Sequence, residues 1–211
     1  MKEIGLNKIF VEGASDKLFI DAILSKFFQI EDDQIVINVQ GKDNLQNHPA
    51  FKVAERIETN AKNLVIFDTD YLAKNGGREK RLGEYNKVAK ELGVEFLIYL
   101  LPFDDNIEGE LEDLVKTCFK DEFGFFDECW HKMIACFNRV QLKHPLNLPN
   151  IDGYLYSYVD LLSKFKTIGY QNRKTEIKFL DSGLWNLEID NNIQLKKLID
   201  FIENNLFDKQ N

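Results

Sequence analysis

The stretch Leu64-Val65-Ile66-Phe67-Asp68-Thr69-Asp70 runs four apolar residues straight into a D-x-D pair. An apolar run of this length reads as a strand that ends at the pair. The same rhythm continues on either side. Upstream, Lys8-Ile9-Phe10-Val11 closes on Glu12-Gly13 and is followed by Leu18, Phe19, Ala22, Ile23 and Phe27 at helical spacing, with Ser15 as the expected N-cap. A second strand over residues 34–39 ends at Gly41, and a helix through Phe51, Val53, Ala54 and Ile57 leads into the quoted strand. Downstream, a helix carrying Leu82, Tyr85, Val88, Ala89 and Leu92 precedes a fourth strand over residues 95–101, closed by Pro102. This alternation predicts an α/β fold with a four-stranded parallel sheet and flanking helices.

From Leu111 onward the apolar periods are helical. They read Leu111, Leu114, Val115 and Cys118; then Trp130, Met133, Ile134 and Phe137; then Tyr154, Tyr158, Leu161, Leu162 and Phe165; then Leu195, Leu198, Ile199, Ile202 and Leu206. Their spacing is that of buried helix faces, so the aromatic residues are assigned to packing. The expected division is residues 1–120 as the sheet domain and residues 121–211 as a mainly helical extension packed on it. The loop over residues 143–153, with Pro145, Pro149 and Gly153, is the expected subdomain boundary.

The composition, 44% hydrophobic and 29% charged over 211 residues, is that of a globular protein able to bury a core. A net charge of −8 argues against a broad basic surface for nucleic acid, but not against an enzyme that meets phosphates through bound cations. Cys118, Cys129 and Cys136 form no C-x-x-C pair, which speaks against a disulfide framework or a zinc cluster; free, mostly buried thiols are expected. His48, His131 and His144 form no ligand pair, so any metal is expected to be held by oxygen. No apolar run reaches the roughly 20 residues of a membrane span, and the opening residues do not read as a signal peptide. The expectation is a cytoplasmic protein without a membrane partner.

Chemistry in an open parallel sheet collects at the carboxyl edge of the strands. Glu12 is expected there after the first strand, Asp68 and Asp70 after the third, and Asp104, Asp105, Glu108, Glu110, Glu112 and Asp113 after the fourth. In an extended segment Asp68 and Asp70 point to one side, a convergence of like charge that calls for a cation. Hard divalent ions such as Mg²⁺ are held by a few carboxylates, waters and substrate phosphates, and two of them stabilise in-line phosphoryl displacement. Several acids have a second reading. Asp16, Glu108, Glu110 and Glu112 fall in first turns, where the helix dipole favours any acid, and Asp104 and Asp105 suit a solvated turn. Nothing in helix chemistry asks for D-x-D. Lys74, Arg78, Lys80 and Arg81 surround Gly76-Gly77 at a helix start, where cations oppose the dipole; they read either as a basic loop for a phosphate backbone or as a solvated turn.

Taken together, Phe10-Val11-Glu12-Gly13-Ala14-Ser15-Asp16, Gly41-Lys42 and Phe67-Asp68-Thr69-Asp70 resemble the Toprim domain of topoisomerases, primases and the overcoming-lysogenization-defect (OLD) nucleases. Gly109-Glu110-Leu111-Glu112-Asp113-Leu114 and Leu184-Trp185-Asn186-Leu187 resemble more closely a bacterial family of stand-alone Toprim-like proteins related to the OLD nucleases. The first likeness covers residues 1 to about 115, the second nearly the whole chain. The resemblance implies that Glu12 is a metal ligand or general acid/base and that Asp68 and Asp70 are the metal-binding pair. It implies a further acid for a second metal at Asp16, another acid after the fourth strand at Glu110 or Glu112, and Lys42 against substrate phosphate; Lys74 and Arg78 are phosphate-binding candidates from the reading of the basic loop alone. The implied activity is Mg²⁺- or Mn²⁺-dependent, nuclease-like cleavage of phosphodiesters in nucleic acid. The chain has no G-x-x-x-x-G-K-[ST] loop, so an ATPase would be a separate partner, and it has no topoisomerase tyrosine domain. Two other readings stay open: a catalytically silent Toprim-like binding or regulatory module, and a phosphotransferase of the haloacid-dehalogenase type, which would expect its D-x-D after the first strand.

Overall fold

The computed structural model describes residues 3–140, 146–162 and 177–208. Strands β1 (Lys8–Val11), β2 (Val36–Asn38), β3 (Asn63–Asp68) and β4 (Leu97–Leu101) form one all-parallel sheet in the order β2-β1-β3-β4. The α/β class and the parallel four-stranded sheet expected from the sequence are therefore present. β2 and β4 are shorter than the apolar runs that announced them.

Alternate strand residues divide between the two faces. Ile9, Val11, Leu64, Ile66, Tyr99 and Leu101 join one core, while Phe10, Val65, Phe67 and Leu100 join the other. Helix α1 (Ala14–Ile23) covers the first face, and a five-residue π-turn, Leu24–Phe28, extends it. The same face receives α4 (Leu111–Lys116), α6 (Ile151–Leu162) and α7 (Ile193–Leu206) through Leu111, Leu114, Tyr154, Tyr158, Leu195, Leu198 and Ile202. The second face is covered by α3 (Arg78–Leu92) through Tyr85 and Ala89, and by Leu45 and Phe51. Among the described residues no helix is long and apolar enough to cross a membrane.

Three expectations are corrected. The helix expected through Phe51 and Ile57 is instead two 3-10 turns, Lys42–Asn47 and Pro49–Lys52, and the short α2 (Ala54–Glu58). Val53 and Ile57 are exposed, and the buried side chain of α2 is Arg56. Its guanidinium donates to the carbonyls of Leu6, Ala50 and Lys62 and to Asn63 Oδ1, so polar contacts fix the segment where the sequence suggested an apolar stripe. The stripe on α5 (Phe125–Asn138) is not wholly core: Phe126 is buried and meets Tyr154, but Met133 and Phe137 are exposed, as is Leu161 on α6. For the same reason Cys129 and Cys136 are exposed and only Cys118 is buried, where desolvation pushes its thiol up to about 12. Phe165 and residues 143–145 of the expected boundary loop lie outside the described residues.

At the amino edge of the sheet Asn7 acts as a clamp. Its Nδ2 donates to the Leu206 carbonyl at 2.8 Å and to Asp208 Oδ1 at 3.1 Å, while its Oδ1 accepts the Lys62 N–H at 2.7 Å. Lys62 Nζ donates to the Phe207 carbonyl, and the Asp208 N–H to the Glu3 carbonyl.

Candidate functional site

Glu12 follows β1 and Asp68 ends β3, two adjacent strands of the sheet. The chain leaves β1 towards β2 on one side and β3 towards β4 on the other, with α1 and α3 on opposite faces. The crevice opened by such a reversal of strand order is where open α/β sheets receive ligands.

Gly13, not Ser15, is the N-cap of α1, and Asp16 Oδ2 accepts the Gly13 N–H at 3.0 Å. Asp16 is thus buried beside Glu12 as part of the turn that holds it. Asp68 Oδ1 accepts the N–H of Leu111, the first residue of α4, at 2.8 Å. Glu110 is the cap of that helix, and its N–H donates to Asp113 Oδ2 at 3.0 Å. Burial first, then the charges of Asp16, Glu112, Glu12 and Glu110, hold the Asp68 carboxyl well above the ordinary carboxylate range. Glu12 is raised too, by burial and then by Asp70 and Asp16, against the opposing charge and N–H of Lys42. Glu12, Asp16, Asp68, Asp70, Glu110 and Glu112 therefore share one region of negative charge. Within it Glu12 Oε2 is buried with no hydrogen-bond partner, and so is the hydroxyl of Tyr85, whose ionisation is opposed by burial and then by Glu12.

Asp70 departs from expectation. Its backbone is left-handed, φ 55°, so the D-x-D does not continue the extended strand. Asp70 Oδ2 accepts from Arg81 Nε and Nη2 and pairs with Lys42 Nζ at 3.2 Å. An added Cβ on Gly76 would run into Asp70 Cβ and lie 2.7 Å from its carbonyl carbon, so the loop closes over Asp70 only because residue 76 lacks a side chain.

The basic residues each meet an acid. Lys74 Nζ lies 2.5 Å from Glu110 Oε1, and Arg78 Nη1 lies 3.4 Å from Asp104 Oδ1 at the outer margin. Lys42 and Lys74 pair with Asp70 and Glu110, acids of the carboxylate region; Arg78 pairs with Asp104, which is not among the acids acting on Glu12 or Asp68. Arg81 was read with the basic loop and Asp113 with the acids after the fourth strand, but the pairing of Arg81 with Asp70 and of Asp113 with Tyr71 was not foreseen. Tyr71 donates to Asp113 Oδ2 at 2.7 Å. Arg81 carried a readable signal, because it shares a four-residue spacing with Tyr85 and Ala89 on the buried stripe of α3, and a cation on such a stripe needs an acid facing it.

In donor chemistry the region suits a hard divalent cation: oxygen ligands, a buried orphan oxygen on Glu12, and a carboxyl at Asp68 that resists ionising alone. Its ligands are not drawn together, however. Among the described residues no three His, Cys, Asp or Glu side chains are grouped to hold a metal ion. Asp70 is turned onto Arg81 and Lys42, and Glu110 onto Lys74. Compared with family models, with curated proteins and with solved structures, the chain gives no match.

Proposed function

We propose that the chain is a Toprim-like, Mg²⁺- or Mn²⁺-dependent phosphodiester-cleaving enzyme, nuclease-like in action, with Glu12 and Asp68 at its centre. The observation that carries this reading is the meeting of these carboxylates at the switch point of the sheet, where both are held above the ordinary carboxylate range. Glu12, Asp68 and Glu110 would hold the cation, with Asp16 and Glu112 supplying further negative charge and Asp70 joining if it leaves Arg81. When bound, such an ion neutralises charge on a phosphoryl oxygen and lowers the pKa of a coordinated water. The chain's own contribution is orientation and proton transfer. In hydrolysis a water oxygen attacks phosphorus, the bond to the leaving ester oxygen breaks, and that oxygen takes up a proton. Glu12, half-buried with its Oε2 enclosed and unpartnered, is suited to accept the proton the water gives up. Lys42 and Lys74 on the margin are suited to the flanking phosphates of a polymer that a net charge of −8 would otherwise repel.

A second reading, a catalytically silent binding or regulatory module, draws support from the ion pairs that occupy Asp70 and Glu110. Supercoiled plasmid incubated with the protein and Mn²⁺ or Mg²⁺ separates the two. The enzyme reading expects nicking that chelator stops and that folded Glu12→Gln and Asp68→Asn proteins lack. Undiminished cleavage by Glu12→Gln would overturn it, and metal binding without any cleavage would favour the silent module.

A further inference from the structure

The connection between β3 and α3 is buckled to the connection between β4 and α4. Tyr71 Oη donates to Asp113 Oδ2 at 2.7 Å, the Leu72 N–H to Glu108 Oε2 at 2.5 Å, and the Arg78 N–H to the Ile107 carbonyl at 2.8 Å. Lys74 spans the same gap with its side chain alone. Its side chain is 52% exposed while that of its partner Glu110 is 10% exposed, so an ammonium reaches from solvent to an acid that lies nearly buried. On the way Nζ passes 5.3 Å from the centre of the Tyr71 ring, a cation–π contact that steadies the stem. The backbone beneath is a single 3-10 turn, Leu72–Lys74, ended by a left-handed Asn75, and the buckle holds it whether or not the ammonium stays on Glu110.

Glu110 is also one of the acids whose charge acts on Asp68. A divalent cation placed between Asp68 and Glu110 would bring two positive charges to the oxygen that Lys74 now covers. The monovalent and divalent cations compete for one carboxylate, and the ammonium, on a long flexible stem, is the one free to leave. Once displaced, it stands at the solvent side of the site with its hydrogen-bond donors open, a geometry suited to a phosphodiester oxygen. We propose that Lys74 is a tethered counter-ion that changes places with the divalent cation and transfers its charge to a substrate phosphate, so that metal and polyanion each tighten the binding of the other. The exchange rests on reading the carboxylate region as a cation site, and it assigns to Lys74 a role that an ion pair holding a loop in place does not have.

Linkage gives the test, because a coupling free energy between two ligands is reciprocal. Mn²⁺ binding to the full chain is measured from the free-ion electron paramagnetic resonance signal, alone and with a phosphorothioate oligothymidylate, a protein-free blank removing the oligonucleotide's own uptake. For wild type the oligonucleotide should tighten Mn²⁺ binding by about fivefold or more, the low end of ordinary coupling, and an uncharged methylphosphonate oligomer should not. Lys74→Met should bind Mn²⁺ tighter than wild type without oligonucleotide and show no coupling. Lys74→Arg, which keeps the charge, should retain part of it. Lys80→Met, which deletes a charge on the same segment where Nζ bonds the Asn75 carbonyl, measures the general effect of losing one cation and should leave the coupling in place. Thermal melts check that each variant is folded. Coupling in Lys74→Met equal to wild type, or Mn²⁺ affinity no higher than in Lys80→Met, overturns the exchange while Asp68-dependent binding leaves the cation site standing. Mn²⁺ binding that is unchanged in folded Asp68→Asn removes both.

Discussion

Arg81 closes on a single oxygen of Asp70, with Nε at 2.8 Å and Nη2 at 2.5 Å from Oδ2. From sequence alone, replacing Asp70 by Asn would be expected to relieve repulsion among carboxylates. The ion pair reverses that sign. The Arg81 side chain is 3% exposed, so Asp70→Asn strands a buried guanidinium with Glu84 as its remaining acid. Breaking such a pair costs about 3–5 kcal/mol, or a fall of roughly 6–20 °C in melting temperature for a chain of this size. Thermal unfolding in chelator decides it, and a variant that melts at or above wild type would mean that the pair does not form in solution.

Asp68 should leave a mark on the pH dependence of stability. A carboxyl whose folded-state value is raised binds its proton more tightly in the folded protein than in the unfolded chain. Its contribution is complete below the ordinary carboxyl range, about pH 4, and is lost as pH rises through the raised value. Glu12 acts in the same sense. In chelator the protein should therefore lose stability on that rise, and Asp68→Asn, which keeps an oxygen to accept the Leu111 N–H, should flatten the loss. Parallel melting curves for the two proteins from about pH 4 to about pH 8 would exclude a titrating, buried Asp68.

Divalent metal should reverse the same loss. An ion that binds only the folded state adds about 1.4 kcal/mol at ten times its dissociation constant, a rise of roughly 3–6 °C. Glu12→Gln removes a charged oxygen without changing the volume of the side chain, so the rise should shrink by more than half in melts with millimolar Mn²⁺ at matched ionic strength. An equal rise in both proteins would remove Glu12 from the site.

Gly76→Ala tests the closure over Asp70 without touching any charge. The added methyl meets Asp70 Cβ and backbone, and forcing extra volume into such a contact costs about 1–3 kcal/mol. Gly83→Ala on α3, where a methyl meets nothing within 4 Å, is the matched control and should be neutral or mildly stabilising. If both variants melt alike, the loop is not packed on Asp70.

Strands and helix faces were legible because burial writes a period into the chain: β1 was placed to the residue, and every apolar position assigned to α7 is buried. Glu12 and Asp68 were legible because strand ends in a parallel sheet share an edge. What periodicity does not contain is the left-handed turn at Asp70, which depends on a contact with Gly76, and the choice of partner for Lys74, Arg78 and Arg81, each of which crosses from one connection or helix to an acid elsewhere. The exposed end of α5 was misread for a similar reason. Its sequence is as apolar as a core helix, but only Phe126 and its neighbours in the first turns reach Tyr154 and Tyr158.

The bond from Asn7 to the Leu206 carbonyl joins residues 199 positions apart. A loop of that length is entropically expensive to close, and the clamp persists only while everything it encloses is folded. The sheet and the C-terminal helices thus share their cooperativity. Neither can be peeled away without opening the other, so heat or denaturant should take the chain through one transition seen alike by far-ultraviolet circular dichroism and by the fluorescence of Trp130 and Trp185, and Asn7→Ala should lower that transition as a whole without splitting it in two.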